Sequence, residues 1–250
     1  MEKEKQDLIF GTRPVTEALK SGKELEKVLI QKGLGSHTFK ELIPLLKERK
    51  IPYQVVPKEK LNRITRKNHQ GVIATVSPVE FYNIEQIIPG IYEQGKTPLI
   101  LMLDKVTDVR NFGAILRTAH SAGVHAVVIP DKNSAQLNPG TVKSSAGAIF
   151  KIPICRTPNL KETITFLKNS GLKIVAVTEK GTSDYFTEDL SGAVALIMGS
   201  EGEGISPAYL KLSDIQVKIP MLGEIESLNV SVATGIVLYD IVRQRELNNK

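Results

Sequence analysis

The sequence predicts an α/β protein built on a mostly parallel sheet covered by helices on both faces. Short apolar runs such as "AVVIP" and "VALIM" are strand-length and apolar throughout, as strands buried on both faces must be. Amphipathic stretches long enough for helices separate them, giving the strand–helix alternation of a parallel sheet. At 250 residues and 41% hydrophobic content, the chain can bury one large core or two smaller ones.

Taken in order, the first part reads as strand "DLIF", helix "TRPVTEALKS", strand "KVLIQ", helix "TFKELIPLLKERK", and strands "YQVVP" and "GVIATV". These make a small α/β unit over residues 1–80. Residues 81–97, "EFYNIEQIIPGIYEQGKTP" in their setting, read as a linker, partly helical and broken at Pro89-Gly90. The larger unit spans 98–250. It opens with strand "LILMLDKV" and a helix from Phe112 to Ala122, followed by strand "AVVIP", a helix near "GTVKSSAGAIF", strand "KIPICRT" and helix "LKETITFLKNSG". Strands "KIVAVT" and "VALIMG", the run "IQVKIP" and a final helix from about Val230 to Leu247 complete it.

Composition removes several classes of function. No apolar run approaches the roughly 20 residues of a membrane span, and "MEKEKQD" lacks an apolar signal region, so a cytoplasmic protein without membrane contact is expected. The single cysteine, Cys155, rules out an intrachain disulfide and a cysteine-based zinc site. His37, His69, His120 and His125 lack metal-ligand spacing, so no metal is expected. The net charge of +6 lies wholly in residues 1–80, where 16 Lys/Arg face 10 Asp/Glu, while the remainder has 17 of each. The segment "KEKLNRITRK" concentrates Lys58, Lys60, Arg63, Arg66 and Lys67 against Glu59. It reads equally as a footprint for phosphates and as a solvated helix face.

Ligands of parallel sheets bind beyond the carboxyl ends of the strands, which directs attention to three segments. In "DKVTDVRNFGAILRTA", Asn111 stands where a helix cap belongs, with Arg117 six residues on. In "MGSEGEGIS", Gly199, Gly202 and Gly204 surround Glu201 and Glu203. That order is not the dinucleotide fingerprint, and two glutamates would repel a phosphate, so the turn suits a neutral or cationic ligand read through close backbone. In "IPMLGEIESLNVSVATGIVLYDIVRQR", Pro220 and Gly223 mark a loop, and Ser227 and Asn229 precede a helix whose Val230, Ala233, Val237 and Ile241 form an apolar stripe. Ile236, Tyr239 and Val242 widen that face in a way that suits a subunit contact.

In this order and spacing, "NFGAILRTA", "IMGSEGEGIS" and "IPMLGEIESLNVSVATGIVLYD" resemble the three motifs of the SpoU/TrmH-type SPOUT RNA ribose methyltransferases. The first part, from "IFGTRPVTEAL" through "NHQGVIATV", resembles the ribosomal-protein-like RNA-binding domain of the subgroup that modifies large-subunit ribosomal RNA. The resemblance implies a C-terminal parallel sheet with a trefoil knot, a homodimer, and S-adenosylmethionine as methyl donor. It implies cofactor contacts at Thr178, Gly199, Glu201, Gly202, Ile219, Met221, Ser227 and Leu228. It further implies catalytic roles for Arg117, Asn111, Glu201 and Asn229, and RNA contacts at Arg13, Lys58, Lys60, Arg63, Arg66, Lys67 and His69. The chain departs from many members in having Val109 where they place proline.

The implied reaction carries a sulfonium methyl group to a ribose 2′-hydroxyl, which rests on in-line positioning and activation of a weak nucleophile. Arg117 is protonated at ordinary pH, so it suits support of a developing oxyanion better than proton abstraction. The implied substrate is a guanosine of 23S ribosomal RNA or its large-subunit precursor. Transfer RNA methylation, a catalytically silent assembly factor, and a nicotinamide-dependent oxidoreductase are the alternatives. The last lacks the early glycine fingerprint.

Overall fold

A computed structural model describes residues 7–224 and 227–248. Ile225 and Glu226, inside the third motif, lie outside the described residues. The chain divides into two compact units, Met1–Glu80 with Leu137–Pro139, and Phe81–Gln136 with Gly140–Lys250.

The first unit runs β1 (Leu8–Phe10), α1 (Thr12–Lys20), β2 (Leu25–Gln31), α2 (Ser36–Glu48), β3 (Tyr53–Val56), α3 (Lys58–Ile64) and β4 (Val72–Val76). Its sheet has the order β1-β4-β2-β3, with β2 and β3 parallel and the other pairs antiparallel. Alternation along the strands divides its apolar side chains between two faces. Val28, Ile30, Val72 and Ala74 meet Val15 and Leu19 of α1 and Leu42 and Leu46 of α2, while Leu29 and Ile73 meet Val56 and Leu61. Leu61 is fully buried and anchors α3. The basic run is therefore a helix and its trailing loop, with Lys58, Lys60 and Arg63 turned to solvent.

The second unit contains β5 (Phe81–Tyr82), α4 (Ile84–Glu93), β6 (Leu99–Leu103), α5 (Val109–Ser121), β7 (Ala126–Pro130), α6 (Pro139–Ser144), β8 (Ile154–Thr157) and α7 (Leu160–Asn169). It continues through β9 (Lys173–Val177), β10 (Ser183–Asp184), β11 (Val194–Met198), α8 (Pro207–Leu210), β12 (Ile215–Lys218) and α9 (Val230–Asn248). Its eight strands lie in the order β10-β12-β9-β11-β6-β7-β8-β5, every pair parallel. All five residues of β6 and of β11 are buried, which explains their continuous hydrophobicity. On one face, Ile100, Met102, Ile174 and Ile197 pack with Ile88 of α4 and Ile164 of α7. The alternate residues Leu101, Val127, Val175 and Leu196 are fully buried on the opposite face. The outer helices α5 and α9 pack against each other.

Residues 81–97 are not a linker. Phe81 and Tyr82 pair with Ile154 and Cys155, and Ile84, Ile88 and Ile91 enter the core. The helix also runs through Pro89-Gly90 without a break. Pro89 leaves the Glu85 carbonyl without an N–H partner, but both residues are exposed, so water satisfies that carbonyl. Three apolar residues at helical spacing outweigh one proline on the wet side.

Because β12, β9, β11 and β6 are parallel neighbours, the loops that follow them share one edge of the sheet. The three motifs singled out in the sequence occupy those loops.

Candidate functional site

A cavity of about 360 Å³ opens at this edge, within the size range of small-molecule sites. It is lined by Thr178–Lys180 after β9, by the turn 199–204 after β11, and by residues between Ile219 and Ala233. The turn folds back on itself: the Gly204 N–H donates to the Ser200 carbonyl at 3.0 Å, with Gly204 at φ +65°. A Cβ on Gly199 would lie 2.1 Å from the carbonyl carbon of Gly204, so only glycine allows the closure. The backbone of the turn is thereby presented to the cavity.

The sequence expectation that Asn111 caps a helix starting at Phe112 is corrected by the structure. The helix starts at Val109, and Asp108 caps it by accepting from the Arg110 and Asn111 N–H groups at 2.8 Å each. Val109 thus occupies the first helical position, where proline is favoured but not required. The Asn111 side chain is released, and its Nδ2 donates to Glu201 Oε1 at 2.9 Å. Asn229 Nδ2 donates to Asn111 Oδ1 at 3.0 Å and also to Glu201 Oε1. Asn229 Oδ1 meanwhile accepts from the Ser231 N–H at 3.0 Å, capping α9. The amino ends of α5 and α9 therefore meet at the Glu201 carboxylate.

Glu203 has a different fate. Its Oε2 accepts from Lys105 Nζ at 2.5 Å. That bond holds the Glu203 carboxyl below its usual range and raises the Lys105 ammonium. Next to it, buried Asp104 accepts the Ser206 N–H at 2.7 Å through Oδ2. Hydrogen bonds from Asp104, Lys105 and Asn111 thus tie the β6–α5 loop to the turn after β11. Of the two glutamates in "GSEGEG", one is paired with a cation and the other is held by neutral amides. Glu201 lines the cavity and has no ion pair with any described residue.

All eight residues expected to contact a cofactor, Thr178, Gly199, Glu201, Gly202, Ile219, Met221, Ser227 and Leu228, line this cavity. Asn111, Glu201 and Asn229 form one hydrogen-bonded cluster, whereas Arg117 stands elsewhere. It is exposed on α5, does not line the cavity, and makes no side-chain hydrogen bond or ion pair with any described residue. Arg13, Lys58, Lys60, Arg63, Arg66 and Lys67 are exposed on the first unit, with Lys67 Nζ 5.6 Å from the centre of the Phe10 ring. His69 does not join them. It is 6% exposed, its Nδ1 accepts the Gly71 N–H at 3.0 Å, and its Nε2 therefore carries the proton and donates to Asn62 Oδ1 at 2.9 Å. Both ring nitrogens are committed inside the first unit, Nδ1 to the turn before β4 and Nε2 to Asn62 of α3, so His69 is not presented to RNA with the cations.

The sequence reading missed Asp104, Lys105 and Asp108, and also Glu179 and Lys180 on the cavity wall. Asp108 had a local signal, an acid three residues ahead of Asn111 at a helix start. Lys105 had none, since its partner is 98 residues away. Cys155 offers no nucleophile at neutral pH, because burial pushes its thiol up to about 12.

The fold and cavity define an α/β protein with a small-molecule-sized cavity at the carboxyl edge of a parallel sheet, walled largely by loops. Residues 98–239 match the family described as the SpoU rRNA methylase family, and residues 8–82 match the domain described as RNA 2′-O ribose methyltransferase substrate binding. A protein of Staphylococcus aureus (strain MSSA476) named as a TrmH family tRNA/rRNA methyltransferase is 36% identical over 238 residues, covering 95% of this chain and 96% of its own length. The crystal structure of the SpoU methyltransferase AviRb from Streptomyces viridochromogenes, in complex with AdoMet, superposes with TM-score 0.62 at 26% identity over 97% of this chain and 91% of that one. An AdoMet-bound rRNA methyltransferase from Sinorhizobium meliloti gives 0.60 at 27%, over 94% and 86%. The chain belongs to the SpoU/TrmH family of RNA methyltransferases.

Proposed function

We infer that this protein transfers the methyl group of S-adenosylmethionine to a ribose 2′-hydroxyl of RNA, and that its target is a guanosine of 23S ribosomal RNA. The observation that carries the reading is the Glu201 carboxylate, fixed by Asn111 and Asn229 beside a cavity walled by a glycine turn. Such a wall suits a purine edge read by backbone groups, and an unneutralised carboxylate suits a sulfonium. Bound there, S-adenosylmethionine supplies an electrophilic methyl carbon, and the rest falls to the chain. Gly199, Ile219 and Leu228 hold the nucleoside part by backbone, with Thr178, Gly202, Met221 and Ser227 around it. Asn111 and Asn229 fix Glu201 and orient the sugar.

Arg117 binds the phosphate beside the target ribose and stabilises the developing alkoxide. Its exposure on α5, away from the cavity of its own chain, fits a homodimer in which a second copy packs against α9 and completes the site while the Arg117 face of α5 stays open to RNA. Val232 and Tyr239 of α9, 50% and 51% exposed, provide apolar area for that contact. The family likeness supports a trefoil knot in the C-terminal part. The six exposed cations of the first unit give RNA a second foothold, in the cytoplasm where ribosomes are assembled.

The test is transfer of labelled methyl from S-adenosylmethionine to 23S RNA and, in parallel, to transfer RNA, followed by nuclease digestion to nucleosides. Label in 2′-O-methylguanosine from 23S RNA is expected. Label confined to transfer RNA, or carried on a base, overturns the corresponding part of the reading.

A further inference from the structure

We propose that Arg110 is a second phosphate grip on the substrate RNA, a positioning residue that works in register with Arg117. The proposal deepens the reading above and rests on it for the role of Arg117. Arg110 and Arg117 are seven residues apart on α5, which places them within about 20° on the same face and about 10.5 Å apart along the axis. Two long side chains at that spacing can close onto neighbouring phosphates of one RNA strand. The buried residues Phe112, Ile115, Leu116 and Ala119 occupy the opposite face, so both guanidinium groups are exposed. Neither makes a side-chain hydrogen bond or ion pair with any described residue.

Two features separate this face from an ordinary solvated one. From Val109 to Ser121 there is no acid, whereas the exposed helices α1, α7 and α9 mix signs, as in Lys161 and Glu162 of α7. Arg110 also stands in the first turn of its helix, where the dipole is positive and a cation is disfavoured. An unpaired cation kept at an unfavourable position serves something other than stability. Its neighbour Asn111 binds Glu201, so Arg110 stands beside the polar cluster of the site. An anionic polymer entering that edge meets Arg110 and Arg117 on one face.

The experiment measures binding to 23S RNA across about 50–200 mM salt for the wild type, Arg110→Ala, Arg110→Lys and the control Lys161→Ala on α7. Loss of one phosphate contact lowers the slope of log K against log salt by about one and weakens binding by several-fold to about tenfold. Arg110→Ala is expected to do both with an unchanged or raised Tm and unchanged affinity for S-adenosylmethionine. Arg110→Lys is expected to restore the slope while recovering only part of the affinity, since lysine offers a point charge without the fork. An unchanged slope in Arg110→Ala, an equal fall in Lys161→Ala, or a loss of RNA affinity that tracks a lowered Tm each overturns the proposal. The salt slope does not depend on where the methyl group goes. Failure of ribose methylation would appear separately, as absence of 2′-O-methylated nucleosides from wild-type digests.

Discussion

At Asn229 one carboxamide serves two ends, capping α9 through Oδ1 and reaching Asn111 and Glu201 through Nδ2. The structure shows the cap, the role in the reaction is the one proposed above, and two substitutions separate them. Asn229→Asp keeps the cap acceptor but sets a second carboxylate against Glu201, so stability is expected to change by less than about 1 kcal/mol while methyl transfer falls at least tenfold. Asn229→Ala loses both functions and about 1 kcal/mol of stability, as urea denaturation will read. At Gly199, alanine would drive its Cβ into the Gly204 carbonyl carbon. Overpacking against backbone costs about 1–3 kcal/mol and opens the turn, so calorimetry should find S-adenosylmethionine binding lost while α/β circular dichroism persists. Arg117 and Asn229 could be named from motifs, but what their side chains touch could not. Asn111 looked like a cap because the helix start was placed three residues late, and His69 looked available because burial is not written in its neighbours.

Among the elements, α9 shows how a helix is fixed at both ends for different reasons. Its amino end belongs to the site. At its carboxyl end the Arg245 guanidinium donates to the carbonyls of Thr97, Pro98 and Gly192 at 3.2, 2.9 and 2.7 Å, tying the helix to the chain just before β6 and β11. These are charge-assisted bonds in a half-buried setting, and burial lowers the arginine from its ordinary value. Arg245→Ala is expected to cost about 2–3 kcal/mol and lower Tm by about 5–10 °C, with S-adenosylmethionine affinity preserved in the folded protein. The start of α5 likewise depends on Asp108, whose side chain takes two backbone donors that would otherwise be orphaned. The elements that periodicity missed were the shortest: β5, β10 and α8 have two to four residues, too few for any repeat to register.

For the molecule as a whole, the second unit separates its labours between the two edges of one sheet. The carboxyl edge carries the cavity, while hydrogen bonds at the amino edge fix the strands. There His125 Nδ1 accepts the Leu99 N–H at 3.1 Å, and the His125 backbone N–H donates to the Leu99 carbonyl at 2.9 Å. Burial, aided by Arg245, holds the His125 imidazole below its ordinary value of 6.5. The unfolded chain therefore takes up the proton first as pH falls, so stability decreases below about pH 6.5 until the native imidazole also protonates. Denaturation midpoints at pH 7.5 and 5.5 should show this loss, and His125→Gln should reduce it. A midpoint that is flat across the interval in the wild type would show that His125 does not carry the effect.

The sequence by itself determined the α/β alternation, the parallel sheet and the three loops, because periodicity, turn chemistry and motif spacing all act within a few neighbours; the cofactor residues came from the family resemblance, and Glu179 and Lys180 on the cavity wall only from the structure. Only the tertiary structure decided that residues 81–97 belong to the core, that Glu203 is neutralised by Lys105, and that Asn111 and Asn229 converge on Glu201. Those partners lie 98, 90 and 28 residues apart in the chain. A hydrogen bond or ion pair forms within about 3 Å, and no local rule reports which distant segments the sheet will bring that close.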